Sequence, residues 1–191
     1  MSDPLRLFQE WFEAAREAGV RFPETMTLAT ATADGAPSAR MLLLKSADEN
    51  GFVFFTGYES RKGEELDANP RAALVFYWQP LGRQVRVEGT VERVPEEESA
   101  AYFAGRPRAS RLAAWASRQS RPLGSRGELE QRYAELEREY EGRDVPLPPH
   151  WGGYRLRPDA IEFWEHRDSR LHDRVVFTRA REGWSETRLW P

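Results

Sequence analysis

The sequence predicts an α+β domain, mainly β, organised as an antiparallel barrel or sandwich. Three observations carry this. Segments with strand character crowd both ends of the chain, and helical segments fill its middle. Successive strands are joined by tight turns, which builds antiparallel rather than parallel sheet. The chain has neither a Gly-x-Gly-x-x-Gly fingerprint nor a Walker-type loop, so a doubly wound nucleotide-binding sheet is not expected. Its 191 residues fit one domain over 1–191, with an N-terminal helix within 1–20 and a helical insertion at 95–141.

Each element has a local reason. Leu5, Phe8, Trp11, Phe12 and Ala15 recur at helical spacing, and Gly19 ends that helix. Residues 25–32 and 38–45 flank the turn Ala33-Asp34-Gly35-Ala36 and form a hairpin. Asp48-Glu49-Asn50-Gly51 turns the chain into a strand over 52–56. A short helix over 60–68 has Ser60 as its N-cap and Asn69-Pro70 as its stop. Strands at 72–78 and 84–94 flank Gln79-Pro80-Leu81-Gly82. Pro95 opens a helix to Ala104 with Glu96, Glu97 and Glu98 in its first turn, where the helix dipole favours acids. Helices at 110–117 and 125–141 follow, the second strongly charged and solvent-facing. The segment 145–149 is a stiff extended connector. Strands return at 154–157, 161–165, 174–179 and 185–189.

Composition narrows the function. Hydrophobic residues make up 40% and charged residues 31%, an ordinary globular balance with material for a sizeable core. A net charge of −3 argues against nucleic acid as a partner but leaves room for a local basic pocket. Cysteine is absent, which excludes disulfides, thiolate catalysis and cysteine metal sites. His150, His166 and His172 show no ligand spacing, so no metal is expected. No apolar run approaches the ~20 residues of a membrane span. The start, Met1-Ser2-Asp3-Pro4, leads into an amphipathic segment and not a signal peptide; a cytoplasmic protein is expected. Of the 28 basic residues only Lys45 and Lys62 are lysine. Either a coding or thermal bias toward arginine explains this, or these two sit where a compact ammonium is needed.

Four constellations could carry chemistry. Ser60-Arg61-Lys62-Gly63 puts two cations in a first helical turn, against the dipole; that suits an anion bound there, or else marks a solvated surface pair. Arg40 to Lys45 (RMLLLK) is an apolar strand with a cation at each end, which reads as a strand crossing the core to a pocket or as a buried strand with snorkelling ends. Tyr102, Arg106 and Ser110 are spaced to share one helical face and suit a second phosphate, or form a polar outer face; Pro107 requires a helix end among them. After Trp164, an extended Arg170-Leu171-His172-Asp173-Arg174 would turn Arg170, His172 and Arg174 to one side. Gln119-Ser120 adds a polar pair. Two phosphate-type sites without metal, thiol or triad leave the chemistry to a phosphorylated cofactor acting on a phosphorylated substrate.

Several long runs carry a resemblance: RMLLLK (40–45), FFTGYESRKGEEL (54–66), NPRAALVFYW (69–78), RQVRVEGTVERV (83–94), YFAGRPRASRLAAWASRQS (102–120), VPLPPHWGGYRL (145–156), IEFW (161–164) and RLHDR (170–174). From about residue 25 to its end, the chain resembles the pyridoxamine/pyridoxine 5′-phosphate oxidases. The resemblance implies an FMN-binding split β-barrel, antiparallel and flanked by helices, assembled as a homodimer with FMN at the subunit interface. It implies FMN contacts from Arg40, Met41, Leu42, Leu43, Leu44, Lys45, Phe55, Thr56, Ser60, Arg61, Lys62, Gln84, Gln119, Ser120, Trp164 and Arg174, some from the partner subunit. The substrate would meet Lys45, Tyr102, Arg106 and Ser110 at its phosphate and Arg170, Leu171 and His172 at its pyridine ring, with Arg170 and His172 as catalytic residues.

The implied reaction oxidises pyridoxamine or pyridoxine 5′-phosphate to pyridoxal 5′-phosphate. Oxygen is the acceptor, giving hydrogen peroxide, and ammonia leaves from the amine. Many members carry an N-terminal extension with arginine and tyrosine that helps close the site, and no counterpart precedes the first helix here. A phenazine-biosynthesis type FMN oxidase and a non-catalytic flavin- or B6-phosphate-binding module remain as alternatives.

Overall fold

The computed structural model describes residues 3–191. Helix α1 (Pro4–Glu17) is capped by Asp3, whose carboxylate accepts from the Leu5 N–H. The chain then runs through β1 (Thr25–Ala31), β2 (Pro37–Leu43), β3 (Ser46–Asp48) and β4 (Gly51–Gly57), the helix α2 (Arg61–Ala68), and β5 (Arg71–Trp78) and β6 (Arg83–Arg93). Three helices follow, α3 (Glu96–Ala104), α4 (Arg108–Ala116) and α5 (Arg126–Glu139), and then β7 (Trp151–Glu165), β8 (Asp173–Arg179) and β9 (Trp184–Arg188).

All nine strands form one antiparallel sheet in the order β2-β1-β5-β6-β7-β4-β3, with β8 also on β7 and β9 on β8. The sheet curls around its apolar side chains as a half-barrel. Phe8 of α1 plugs that core, meeting Phe52 edge-on at 4.9 Å and Phe76 at 5.0 Å. A second, smaller core of Phe103, Leu112, Ala116, Leu136 and Val145 joins α3, α4 and α5. Helix α5 buries Leu136 and leaves most of its other residues exposed, as its charge pattern predicts. No described helix is long and apolar enough to cross a membrane.

Four expectations need correction. The strands expected at 154–157 and 161–165 are one strand, β7, that passes through Pro158; the register shifts there against Glu88 and Gly89, so a bulge absorbs the missing N–H. The three-residue β3 replaces part of an expected turn. The run RMLLLK does not cross the core, because β2 is an edge strand: Met41 and Leu43 face outward, 62% and 42% exposed, while Leu42 and Leu44 pack inward. Residues 170–174 are not continuously extended either. The chain reverses between β7 and β8 through a 3₁₀ turn at Asp168–Arg170, with Ser169 and Arg170 at φ of 57° and 62°. Strand pairing resumes at Asp173, so Arg170, His172 and Arg174 do not form one row.

Candidate active site

Strand β4 ends at Gly57, and a tight turn leads into α2. Ser60 caps that helix: its Oγ accepts from the Gly63 N–H and donates to the Gly57 carbonyl at 2.7 Å. Gly63 has no alternative, since a Cβ there would stand 2.0 Å from the Tyr58 carbonyl oxygen. Lys62 folds back under the turn and is only 4% exposed. Its Nζ donates to Thr56 Oγ1 at 3.1 Å and Ser60 Oγ at 3.0 Å, and these hydroxyls are its only hydrogen-bond partners among the described residues. Burial, and then the charge of Arg40, push the Lys62 ammonium down from 10.5 to about 8, against the opposing influence of Glu65. A buried ammonium beside a helix N-terminus, without a carboxylate bonded to it, is a site prepared for an anion.

Arg61 points outward and pairs with Glu65 at 2.8 Å. Arg40 reaches the same carboxylate from β2, with Nη2 at 3.2 Å. Gln119 closes the other side: its Oε1 accepts from Thr56 Oγ1 at 3.1 Å and the Gly57 N–H at 3.3 Å. Next to it, Ser120 holds a φ of 71°.

Gly57, Ser60, Gln119 and Ser120 open onto a cleft of about 1270 Å³ that Arg106 and Ser110 also line. Trp115 and Trp151 stand in its wall, and Trp151 belongs to an aromatic stack behind it. Phe55 stacks on Tyr102 with centroids 3.9 Å apart, and Trp151 lies parallel to both. Arg106 sits over Trp151 at 4.5 Å. Its Nη1 is buried with no hydrogen-bond partner, an arrangement native proteins rarely leave without a ligand. Tyr102, Arg106 and Ser110 are thus brought together by the α3–α4 corner. Lys45 stands apart; the small pocket that it lines with Arg16 and Arg21 contains none of those three.

A second group gathers at the far end of β7. Gln84 pairs with Trp164, and Trp164 with Arg174. Arg174 is held by the buried Glu162 at 2.7 Å. The His172 ring lies 4.6 Å from the Trp164 ring, and its Nδ1 accepts from the Arg167 N–H at 3.1 Å. In the neutral ring this leaves Nε2 to carry the proton and donate. Thr56 pairs with Gly152 and Gln84 with Trp164, so the two groups lie twelve residues apart along β7 (152 to 164), about 40 Å of strand at ~3.3 Å per residue. Within one chain the two groups are separate.

Residues 12–139 match the sequence pattern described as pyridoxamine 5′-phosphate oxidase, and residues 151–191 match that described as the pyridoxine 5′-phosphate oxidase C-terminal dimerisation region. The chain belongs to the pyridoxamine 5′-phosphate oxidase family. It is 62% identical over 189 residues to the pyridoxine/pyridoxamine 5′-phosphate oxidase of Rubrobacter xylanophilus, covering 99% of this chain and 87% of that one. It is 58% identical over 192 residues to the enzyme of the same name from Burkholderia vietnamiensis, covering 99% and 89%. Among solved structures, PhzG from Burkholderia lata in complex with tetrahydrophenazine-1-carboxylic acid superposes with a TM-score of 0.95 at 37% identity, covering all of this chain and 94% of that one. A pyridoxamine 5′-phosphate oxidase-related, FMN binding protein from Nostoc punctiforme shares the split-barrel fold, with a TM-score of 0.79 at 19% identity over the full length of both.

Pyridoxamine 5′-phosphate oxidases are oxidoreductases with FMN as cofactor. The residues present fit that group: among the described residues the Lys62 ammonium is bonded only to hydroxyls and to no carboxylate, and Ser60 caps a helix end that favours phosphate. Sequence reasoning missed Glu65 and Glu162, which hold Arg40 and Arg174, and Trp151, which carries Arg106. The i, i+4 spacing of Arg61 and Glu65 was a readable signal for one contact only; the others depend on which strands become neighbours.

Proposed function

We propose that this chain oxidises pyridoxine and pyridoxamine 5′-phosphates to pyridoxal 5′-phosphate, with oxygen as acceptor and hydrogen peroxide, plus ammonia from the amine, as by-products. The observation that carries this reading is a pair of buried cations with no carboxylate bonded to them among the described residues: Lys62, held by the Thr56 and Ser60 hydroxyls behind the cleft, and Arg106 on the cleft wall, whose buried Nη1 has no partner. Two such cations ask for two phosphates, one on a cofactor and one on a substrate.

FMN, when bound here, would supply the hydride acceptor and the route for electrons to oxygen. The chain's residues do the positioning. Lys62, Ser60 and Arg61 hold the cofactor phosphate, with Arg40, Thr56, Gln119 and Ser120 around it. Residues 41–45 and Phe55 belong to this half by position; the Phe55 ring itself is stacked on Tyr102. Tyr102, Arg106 and Ser110 take the substrate phosphate, with Lys45 contributing from the β2–β3 corner. Gln84, Trp164 and Arg174 complete the flavin site. Arg170, Leu171 and His172 cover the substrate ring, with His172 offering Nε2–H as a donor. Because these half-sites lie at opposite ends of β7, the complete site is assembled from two copies of the chain. The outward Met41, Leu43 and Tyr77 then belong to a homodimer interface. The cysteine-free composition suits a cytoplasmic enzyme.

The PhzG superposition keeps one other reading in view, an FMN oxidase acting on a phenazine precursor. The higher identity to the B6-phosphate oxidases favours the first reading. Arg106→Ala separates the two: it abolishes turnover of a phosphorylated substrate and spares a substrate without phosphate.

A further inference from the structure

We propose that Glu65 is a positioning residue for the phosphate site, fixing the arginines of two separate elements around the Lys62 ammonium. This rests on the reading of that site as the seat of the flavin phosphate. The Glu65 side chain is only 4% exposed, and every bond to it comes from a group beside the site. Its Oε1 accepts from Arg61 Nε at 2.8 Å. Its Oε2 accepts from Ser38 Oγ at 2.6 Å, from Arg40 Nη2 at 3.2 Å and from Thr30 Oγ1. The two hydroxyls grip Arg40 a second time, Thr30 on Nη1 and Ser38 on Nη2, both at 2.5 Å. Arg40 is therefore tied into a closed network of β1, β2 and α2. Burial alone would raise the Glu65 carboxyl, and these donors outweigh it and hold it at about 2, so it stays charged.

Without this carboxylate, Arg40, Arg61 and Lys62 would be three like charges at one helix end; Arg40 would lose the anion that holds it inward, and the already exposed Arg61 would lose its tether. A positioning role and a simple charge effect have opposite signs. Glu65 is an anion near a site for an anion, so Coulomb's law alone makes its removal tighten phosphate binding. Loss of positioning loosens it.

The test is the affinity of the apoprotein for FMN and for riboflavin, which lacks the phosphate, in wild type and Glu65→Gln. The expected result is FMN binding weakened by about 10-fold or more, with riboflavin binding unchanged. Unchanged or tighter FMN binding overturns the proposal, as does an equal loss for both flavins, which marks a role in folding only. Should Glu65→Gln fail to fold, Ser38→Ala removes one donor without unbalancing charge and is read by the same FMN-to-riboflavin ratio. A wild-type protein that does not prefer FMN over riboflavin refutes the phosphate site itself and not merely the part assigned to Glu65.

Discussion

The Arg106 guanidinium lies 4.5 Å from the centroid of the Trp151 ring, and its buried Nη1 has no partner. Trp151 thus holds the cation by its face and leaves its hydrogen-bonding edge free for a ligand. Trp151→Leu removes the cation–π contact, worth about 0.5–2 kcal/mol. The expected outcome is a KM for pyridoxine 5′-phosphate raised about 2- to 30-fold, with FMN affinity unchanged and Trp151→Phe intermediate. Steady-state kinetics on flavin-saturated protein checks it.

Lys62 is the buried cation of the flavin half-site. Lys62→Ala should weaken FMN binding by about 1–3 kcal/mol, the scale of a charge-assisted contact. Lys62→Met should do the same and in addition stabilise the apoprotein, because it removes a buried charge whose desolvation and repulsion by Arg40 outweigh the attraction of Glu65. Flavin titration and thermal unfolding of the apo form measure the two effects separately. Lys62→Arg asks whether the compact ammonium is itself required; the loss of FMN expected there reflects a larger guanidinium in a closed space.

The lowered Lys62 value has a pH consequence. In the unfolded chain the group titrates near 10.5, and in the folded apoprotein near 8. The unfolded state therefore binds more protons between those values, and the stability of the apoprotein rises as pH climbs through that window. A bound phosphate favours the charged ammonium, so binding takes up a proton there and FMN affinity falls as pH rises above about 8. Flavin titrations from pH 7 to 10, with calorimetry in buffers of different ionisation enthalpy, read both signs.

Gly63 is fixed by the close approach of the Tyr58 carbonyl oxygen. Gly63→Ala cannot be absorbed by a side chain moving aside, since the neighbour is backbone. It should cost about 1–3 kcal/mol of stability and loosen FMN by displacing the Ser60 cap. Chemical denaturation of the apo form, followed by flavin titration, checks it.

Much of this architecture could be read from local pattern. Ser60 was legible as a cap and Lys62 as an out-of-place cation, because both depend on chemistry within one turn. Tyr102, Arg106 and Ser110 were legible as a face across a helix break. The sequence could not show that Pro158 sits inside a strand, because the bulge that accommodates it, with Asp159 as the extra residue, is defined only by the pairing of β7 with β6. The arrangement of 170–174 was hidden for a similar reason. Two consecutive non-glycine residues with positive φ are imposed by the β7–β8 reversal and not by their own preference. The Glu162–Arg174 and Glu65–Arg40 contacts were invisible because the first joins two strands and the second joins α2 to β2.

A chain that carries FMN and oxidises a B6 phosphate with it must reduce its flavin with that substrate. The direct measurement is anaerobic mixing of the flavin-loaded protein with pyridoxine 5′-phosphate while watching flavin absorbance, followed by admission of oxygen. The account predicts bleaching of the flavin, its return with oxygen uptake, and one equivalent of pyridoxal 5′-phosphate per cycle. A flavin-loaded protein whose absorbance does not change with either pyridoxine or pyridoxamine 5′-phosphate would contradict it.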